Sequence, residues 1–508
     1  MEHSRSQLND LPNEILLIIF KYLHHHHMIY SFININKRFN LIVDHIIEKQ
    51  LVLTSLNDSS FSINNDIILD RVSQILPSIH HKIQCIGLDA SIIEQILFST
   101  TYPNLKTLIL YVTSSTAINL FNDDSLLFQN VGSKIQTLII KTKNITREIH
   151  VLDLESVDID SVDEMLESMK MPQVLFKQSC TMFTNLQYLK FGSIVEQEQL
   201  GFDNIDSVSF SSNISKLNIE VDTFNDCLFL LDVKFDRLTH LYVRIYSFHD
   251  LYSLNHMHKS NKMSNLTCFS ITYMNNLYDR DKNGLLNLLR RMPNLNELYL
   301  ELLMVGHSII DGSILSTRFI NAMSNLNKFT FNIGSLAEID DKRKLPIPTN
   351  EDIKNSFKNF PNTILSSIHQ FVQAKLIYCH FYSYPYTSQF YHNITNGFPG
   401  GLFKCVRTIS LRDEHPFEHE FFLRINQSFP LIKKLSLHNY SAQENNHLQW
   451  LVIKYHHLVE IDLINIHEDY VDEFLNNTKT CLADNVNLRV CYDSLEKKQT
   501  HLHKMQHE

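Results

Sequence analysis

The sequence predicts an α/β protein in which short strands and helices alternate along most of the chain. An apolar-x-x-apolar-x-apolar core recurs many times, for example at Leu105–Leu110, and its last positions alternate as in a half-buried strand. Segments between cores, such as Gly284–Met292, carry apolar residues at helical spacing and end at Pro293. Each strand–turn–helix unit leaves an apolar side that it cannot cover alone, so the units are expected to stack.

The spacing of these cores is regular. They begin 24 to 31 residues apart at Leu186, Ile214, Leu238, Leu266, Leu295 and Leu326, and again 26 apart at Val406, Ile432 and Leu458. Leucine-rich repeats have a period of about 20–29 residues and the same L-x-x-L-x-L core. Residues 54–493 therefore resemble a leucine-rich-repeat solenoid. A non-repetitive α/β fold with many short strands is the alternative.

Two stretches interrupt the regularity. Residues 149–180 contain a core only 14 residues after the previous one (Ile135 to Ile149), so their register is open. The solenoid is expected to be irregular around residues 335–402, where the core is lost and a charged segment, Asp340–Pro348, indicates an exposed loop. Residues 494–508 form a polar tail.

Composition limits the classes of function. The net charge of −10 argues against bulk binding of nucleic acid or of an acidic membrane. The N-terminus has no secretory or transit signal, and no apolar run reaches the roughly 18 residues that span a bilayer. Eight dispersed cysteines with no C-x-x-C pair indicate reduced thiols. These features predict an intracellular protein, cytoplasmic and/or nuclear.

The stretch Leu11–Leu23 differs from the rest of the chain. Asp10, Pro12 and Glu14 favour a helix start, and an unbroken apolar run follows. One helical face comprises Ile15, Ile18, Ile19 and Tyr22, and a second comprises Leu16, Phe20 and Leu23. A segment of about 40 residues rarely buries two apolar faces by itself, so the second is expected to be covered from outside the segment.

Residues 6–53 resemble an F-box. The resemblance rests on Leu11-Pro12, the following apolar pairs, Tyr22-Leu23 and the block Asn36-Lys37-Arg38-Phe39. The segment departs from that family at His24–Ile29, where Asp-Leu is frequent, and at Phe39, where Trp is common. The resemblance implies a non-catalytic substrate receptor of a cullin-type ubiquitin ligase. It implies a surface for a Skp-family adaptor formed by Leu11, Pro12, Ile15, Ile19 and Phe20.

A second hypothesis is a repeat scaffold without a link to a ligase, in which these helices only cap the open end of the solenoid. A cap buries Leu11, Pro12 and Phe20 against the first repeat, whereas a docking module leaves them outward.

The solenoid is expected to bind a protein substrate on its concave face, through residues that alternate outward along the strands. Tyrosine and arginine are frequent anchors in protein interfaces. The expected substrate-binding residues are Tyr188, Tyr242, Arg244, Glu297, Tyr299, Glu301 and Arg412.

Two histidine motifs invite a metal interpretation. His24–His27 fall where a turn is expected, and four adjacent residues do not converge on one ion. His415, Glu418 and His419 match the H-x-x-E-H motif of inverted zinc peptidases, although Pro416 lies inside it. No nucleophile elbow, Walker loop or dinucleotide fingerprint occurs. The sequence thus predicts no enzyme, no metal and no cofactor, with the zinc peptidase as a third hypothesis.

Overall fold

The fold is a mixed α/β arrangement with largely parallel sheets. The chain divides into two compact units, residues 1–274 with 291–295 and residues 275–290 with 296–508. The computed structural model describes residues 8–53, 65–113, 120–121, 129, 131–143, 173–193, 213–232, 235–246, 262–278, 282–307, 309–320, 323, 325–339, 348–358, 360, 363–444, 451–483 and 485–491. Within these ranges no helix is both long and apolar enough to cross a membrane.

The first unit opens with three helices, α1 (Asn13–Lys21), α2 (His25–Phe32) and α3 (Lys37–Ile47). Pro12 precedes α1, where its missing N–H removes no helical hydrogen bond. The Asn36 side chain caps α3 by accepting from the Phe39 N–H at 2.8 Å. The chain then enters a strand before residue 54, where the sequence predicted the domain boundary.

Eight strands that begin in the first unit follow one another in chain order, and each of the first seven pairs in parallel with the next. They are β1 (Gln50–Leu53), β2 (Cys85–Asp89), β3 (Thr107–Thr113), β4 (Thr137–Lys143), β5 (Tyr188–Ser193), β6 (Lys216–Val221), β7 (His240–Ile245) and β8 (Cys268–Tyr278). The predicted cores supply seven of these strands, β2 to β8. The predicted core at Ile149–Leu154 lies outside the described residues.

Helices separate several of these strands. They are α4 (Asn65–Ile79), α5 (Ile93–Leu97) and α6 (Phe224–Asp232), and residues 173–182 are also helical. Along β3 and β7 buried and half-buried residues alternate strictly, so every second side chain enters the core.

The second unit has helices α7 (Lys282–Arg290), α8 (Gly312–Leu315), α9 (Asn350–Ser356), α10 (His419–Ser428) and α11 (Asp469–Leu475). Its strands are β9 (Glu297–Gly306), β10 (Lys328–Glu338), β11 (Ile364–Phe371), β12 (Leu376–Ser383), β13 (Phe390–Ile394), β14 (Thr408–Arg412), β15 (Lys434–Asn439), β16 (Ile453–Lys454), β17 (Glu460–Ile466), β18 (Thr480–Cys481) and β19 (Asn487–Val490).

A β-hairpin explains the irregularity predicted around residues 335–402. Strand β10 pairs in parallel with β9, but β12 pairs antiparallel with both β10 and β11. A second parallel sheet follows, in the order β13-β14-β15-β17-β19. The predicted polar tail, residues 494–508, lies outside the described residues.

Backbone hydrogen bonds join successive strand–helix segments at the residue before each strand. The Lys106 and Thr107 N–H groups both donate to the Gln84 carbonyl, at 2.9 and 3.0 Å. The Gln136 N–H donates to the Lys106 carbonyl at 2.9 Å, and the Gln187 N–H to the Gln136 carbonyl at 2.8 Å. Each sequence core is thereby held in register with the preceding one.

Asparagine side chains reinforce this alignment in the first unit. The asparagine before the first apolar residue of a core donates to a backbone carbonyl of the preceding strand–helix segment. The pairs are Asn104–His81 at 2.6 Å, Asn185–Ser133 at 2.6 Å, Asn213–Thr184 at 2.8 Å, Asn265–Asp236 at 2.7 Å and Asn294–Ser264 at 2.8 Å. These bonds account for the Asn-Leu pair that opens several of the cores.

We predict that Asn185→Ala lowers the free energy of unfolding by about 1 kcal/mol, because one hydrogen bond between neighbouring units is lost. Urea denaturation of the full chain measures the change. Asn327→Ala is the matched control, since Asn327 is exposed and has no side-chain hydrogen bond to any described residue. Equal losses in the two variants would contradict a stabilising role for the asparagine series.

Candidate protein-binding surfaces

Helix α1 buries one of its two apolar faces. Leu16 and Phe20 are fully buried, and the Phe20 ring lies 4.3 Å from the Phe32 ring and 5.9 Å from the Phe39 ring, centroid to centroid. The prediction that Phe20 belongs to an outward adaptor surface is therefore wrong. Its side chain holds the three helices together, because Phe32 and Phe39 belong to α2 and α3.

The other face of α1 is an exposed apolar strip. We call it the α1 strip and define it as Ile15 (42% exposed), Ile18 (55%), Ile19 (36%) and Tyr22 (86%). Pro12 beside it is exposed and Leu11 is half-buried. Ile18 and Tyr22 were absent from the predicted adaptor surface, although their helical spacing already placed them on the same face as Ile15 and Ile19.

Arg38 holds the start of α1 in place. Its Nε donates to Asn13 Oδ1 at 2.6 Å, one terminal nitrogen donates to the Asn9 carbonyl at 2.7 Å, and the other donates to the Leu11 carbonyl. Arginine suits this role because its planar group presents several donors in a rigid geometry. Within the Asn36-Lys37-Arg38-Phe39 block, Arg38 thus has a structural role, because it positions α1 against α3.

The four consecutive histidines do not form the predicted turn. Helix α2 starts at His25, so three of them occupy its first turn. The His25 Nδ1 accepts a hydrogen bond from the Val52 N–H at 3.0 Å, which links α2 to β1. Burial, and secondarily the neighbouring His24, lower the pKa of His25, so its ring stays a neutral acceptor. Among the described residues no group of three His, Cys, Asp or Glu could hold a metal ion.

The H-x-x-E-H motif does not form a pair of metal ligands on one helix. His415 is exposed in the preceding loop, Glu418 is the N-cap residue, and His419 is the first residue of α10. The His419 Nδ1 lies 2.8 Å from Glu473 Oε1, and its Nε2 lies 2.9 Å from the Leu451 carbonyl. Both ring nitrogens of His419 are therefore engaged in the protein core, and the zinc-peptidase hypothesis lacks its required geometry.

In the first unit, the predicted residues Tyr188, Tyr242 and Arg244 are half-buried on the solvent-facing side of β5 to β7. Arg244 is ion-paired with Glu220 on the adjacent strand at 3.0 Å. A cavity of about 510 Å³ opens beside the two tyrosines, and we call it the β4–β7 cavity. It is lined by Gln136, Thr137, Gln187, Tyr188, Ser215, Lys216, Asn218 and Tyr242. Burial raises the pKa of Tyr188, and its hydrogen bond with Asn218 opposes that shift.

In the second unit, the predicted residues Glu297, Tyr299 and Glu301 lie along β9, but internal contacts occupy them. Glu297 pairs with Lys328 at 3.1 Å. Glu301 accepts from the Tyr299 hydroxyl at 3.1 Å, from Asn332 Nδ2 at 2.9 Å and from the Ser388 hydroxyl. The Glu301 carboxylate is thus satisfied within the protein.

Arg412 lies apart from these residues, on β14 of the second sheet. It is exposed, and its guanidinium carbon lies 5.8 Å from the centre of the Phe371 ring. The seven residues expected to share one substrate surface therefore occupy different surroundings. Of those on β5 to β7, Tyr188 and Tyr242 border an open cavity.

His380 extends the Glu301 network into the core. Asn332 Nδ2 also donates to the Tyr386 hydroxyl at 2.9 Å, so its Oδ1 is the acceptor for His380 Nε2, at 2.7 Å. His380 is 4% exposed. Burial, and secondarily His392, lower the pKa of His380 to about 3, so the ring is neutral at pH 7.

No protein-family model matches the chain, and a search of the curated proteins finds no similar one. Any function assigned to the chain therefore depends on its own residues.

We predict that His380 makes the protein less stable as the pH falls below about 6.5. The unfolded chain then gains a proton that the folded one excludes until about pH 3. The loss approaches about 1.4 kcal/mol per pH unit for one group. Urea denaturation at pH 7 and pH 5 measures it.

His380→Gln should show a shallower pH dependence than the wild type. The control Ser388→Ala removes a hydrogen bond of the same network without removing a titratable group. Its loss of unfolding free energy relative to the wild type should therefore be the same at pH 7 and pH 5. An unchanged pH slope in His380→Gln would contradict the prediction.

Proposed function

We propose that the chain is the substrate-recognition subunit of a cullin-type ubiquitin ligase, with the α1 strip as the docking surface for a Skp-family adaptor. The α1 strip is the observation that carries this proposal. Three isoleucines and a tyrosine point outward from one helix face, while Leu16 and Phe20 of the opposite face are fully buried. An apolar surface of this kind is typical of a protein-binding site.

The energetics favour a partner on this surface. Burying an apolar side chain completely stabilises a complex by roughly 1.5–3 kcal/mol, and the four side chains of the α1 strip retain between 36% and 86% of their exposure. Arg38 and the buried Phe20 fix α1 in position before any partner arrives. Such preorganisation lowers the entropic cost of association.

The capping hypothesis draws support from a different side of the same helices. α2 and α3 contact β1, and α2 also contacts α4. The side that joins the sheet is therefore formed by α2 and α3, whereas α1 contacts α3. Of the three residues that distinguish the hypotheses, Pro12 is exposed, Leu11 is half-buried and Phe20 is buried against helices. This combination favours docking through α1 together with attachment through α2 and α3.

We further propose that the strand–helix units are leucine-rich repeats that hold a protein substrate. The in-register parallel strands, the period of 24 to 31 residues and the asparagine series support this proposal. The substrate would be held on the solvent-facing side of the strands while other subunits transfer ubiquitin. Function would then consist of positioning, which raises the effective concentration of a substrate lysine at the transfer enzyme.

We predict that Ile15→Ala with Ile19→Ala abolishes co-purification with a co-expressed Skp-family adaptor, because half of the α1 strip is removed. The secondary structure seen by circular dichroism should stay unchanged, since both side chains point to solvent. The matched control is Val459→Ala with Leu475→Ala, two apolar residues of the second unit with 48% and 45% exposure.

Full adaptor binding by the Ile15/Ile19 variant would show that the α1 strip is not the docking surface. If the wild-type chain binds no Skp-family adaptor, the hypothesis of a repeat scaffold replaces the hypothesis of a ligase subunit.

A further inference from the structure

Cross-strand neighbours distinguish the lysines of the two units. Lys328 and Lys434 are the first residues of β10 and β15, and their register partners are Glu297 and Glu460. They form ion pairs with those partners at 3.1 and 3.2 Å. Their positive charges are largely balanced by the neighbouring carboxylates.

Lys216 occupies the same position in β6, but its register partners are Tyr188 and His240. Lys190 on β5 is flanked by Ile139 and Asn218. Neither lysine has a carboxylate in register, and neither forms an ion pair with any described residue. Both lie on the solvent-facing side of their strands, and Lys216 lines the β4–β7 cavity.

The nearest carboxylate along the strand is already occupied. Glu220 is held by Arg244 at 3.0 Å and accepts from the Tyr246 hydroxyl at 3.3 Å. On β4 a third cation, Lys141, lies 5.2 Å from the centre of the Tyr111 ring. Counting only the residues that the structure describes, the surface across β4 to β6 therefore carries more positive charge than its one carboxylate, Glu220, balances.

Side-chain amides and tyrosines complete the β4–β7 cavity. Gln136 and Gln187 are exposed and immediately precede β4 and β5, which are neighbouring strands about 4.8 Å apart. An amide side chain both donates and accepts, so it can pair with the N–H and C=O groups of a bound peptide. Tyr188 and Tyr242 provide aromatic surface with polar tips, as is usual where a protein partner binds.

We propose that the β4–β7 cavity binds an anionic segment of a polypeptide, with Lys190 and Lys216 contacting its negative groups. This inference rests on the proposed function in taking that polypeptide to be the substrate. A volume of about 510 Å³ lies within the usual range of ligand sites, roughly 300–1,000 Å³, and suits a few side chains. Nucleic acid is disfavoured, because the chain has a net charge of −10 and nucleic-acid sites need a more extensive basic surface.

The test measures binding of fluorescein-labelled peptides to the purified full-length chain by fluorescence anisotropy, without an adaptor. One peptide carries four glutamates around a tyrosine, a second carries phosphoserines instead, and a third carries glutamines. We expect the first, the second or both to bind with a Kd below about 1 mM and the glutamine peptide to bind more weakly. The two anionic peptides distinguish carboxylate from phosphate as the recognised group.

Lys190→Gln with Lys216→Gln should weaken binding about tenfold, since two charge contacts are lost. The matched control, Lys328→Gln with Lys434→Gln, removes the same net charge from paired positions and should leave the Kd unchanged. Equal effects in the two variants would overturn the site, because only the overall charge would then matter. Tighter binding of a single-stranded oligothymidine than of either anionic peptide would also overturn it.

Failure of this site is distinguishable from failure of the proposed function. Adaptor co-purification depends on α1, whereas peptide binding depends on β4 to β7. A chain that retains the adaptor but binds neither anionic peptide refutes the site alone.

Discussion

Parallel pairing of successive strands is the constraint on which the described structure depends. Each strand from β2 to β7 supplies backbone groups to the strand before it and the strand after it. The carbonyl before a strand, such as that of Gln84, accepts from two N–H groups of the next unit. Along regular strands such as β3 and β7, one alternating set of side chains faces the core and the other faces solvent. Any surface that the strands themselves offer to a partner must come from the second set.

The N-terminal helices solve a different packing problem. A short segment with two apolar faces cannot bury both, and here Phe20, Phe32 and Phe39 form the interior. Arg38 ties the loop before α1 to α3. The face of α1 that faces solvent is consequently rigid as well as apolar, a combination that suits recognition by a folded partner.

Charge on the sheet surfaces is decided by neighbours on adjacent strands. Where a lysine faces a glutamate in register, as Lys328 faces Glu297, the protein satisfies its own charge. Where it faces tyrosine and histidine, as Lys216 does, no carboxylate in register balances the charge. The Glu301 carboxylate differs from Lys216, because it accepts hydrogen bonds from Asn332, Tyr299 and Ser388 within the protein. Identical residue types on similar strands therefore differ in what they can bind.

The sequence by itself determined the strands that carry a core, namely β2 to β10, β14, β15 and β17. Strand periodicity is local, so the cores at Leu105 and Leu186 could be recognised without any tertiary information. Aligning these cores even indicates the partner of Lys328, because register follows from equivalent positions. The contact between Glu301 and Ser388 could not be found in this way, since the antiparallel hairpin of β11 and β12 interrupts the series between them. The tertiary structure alone decided which face of α1 is buried. Both faces are apolar and equally spaced, and only packing against α2 and α3 selects Leu16 and Phe20 for the interior.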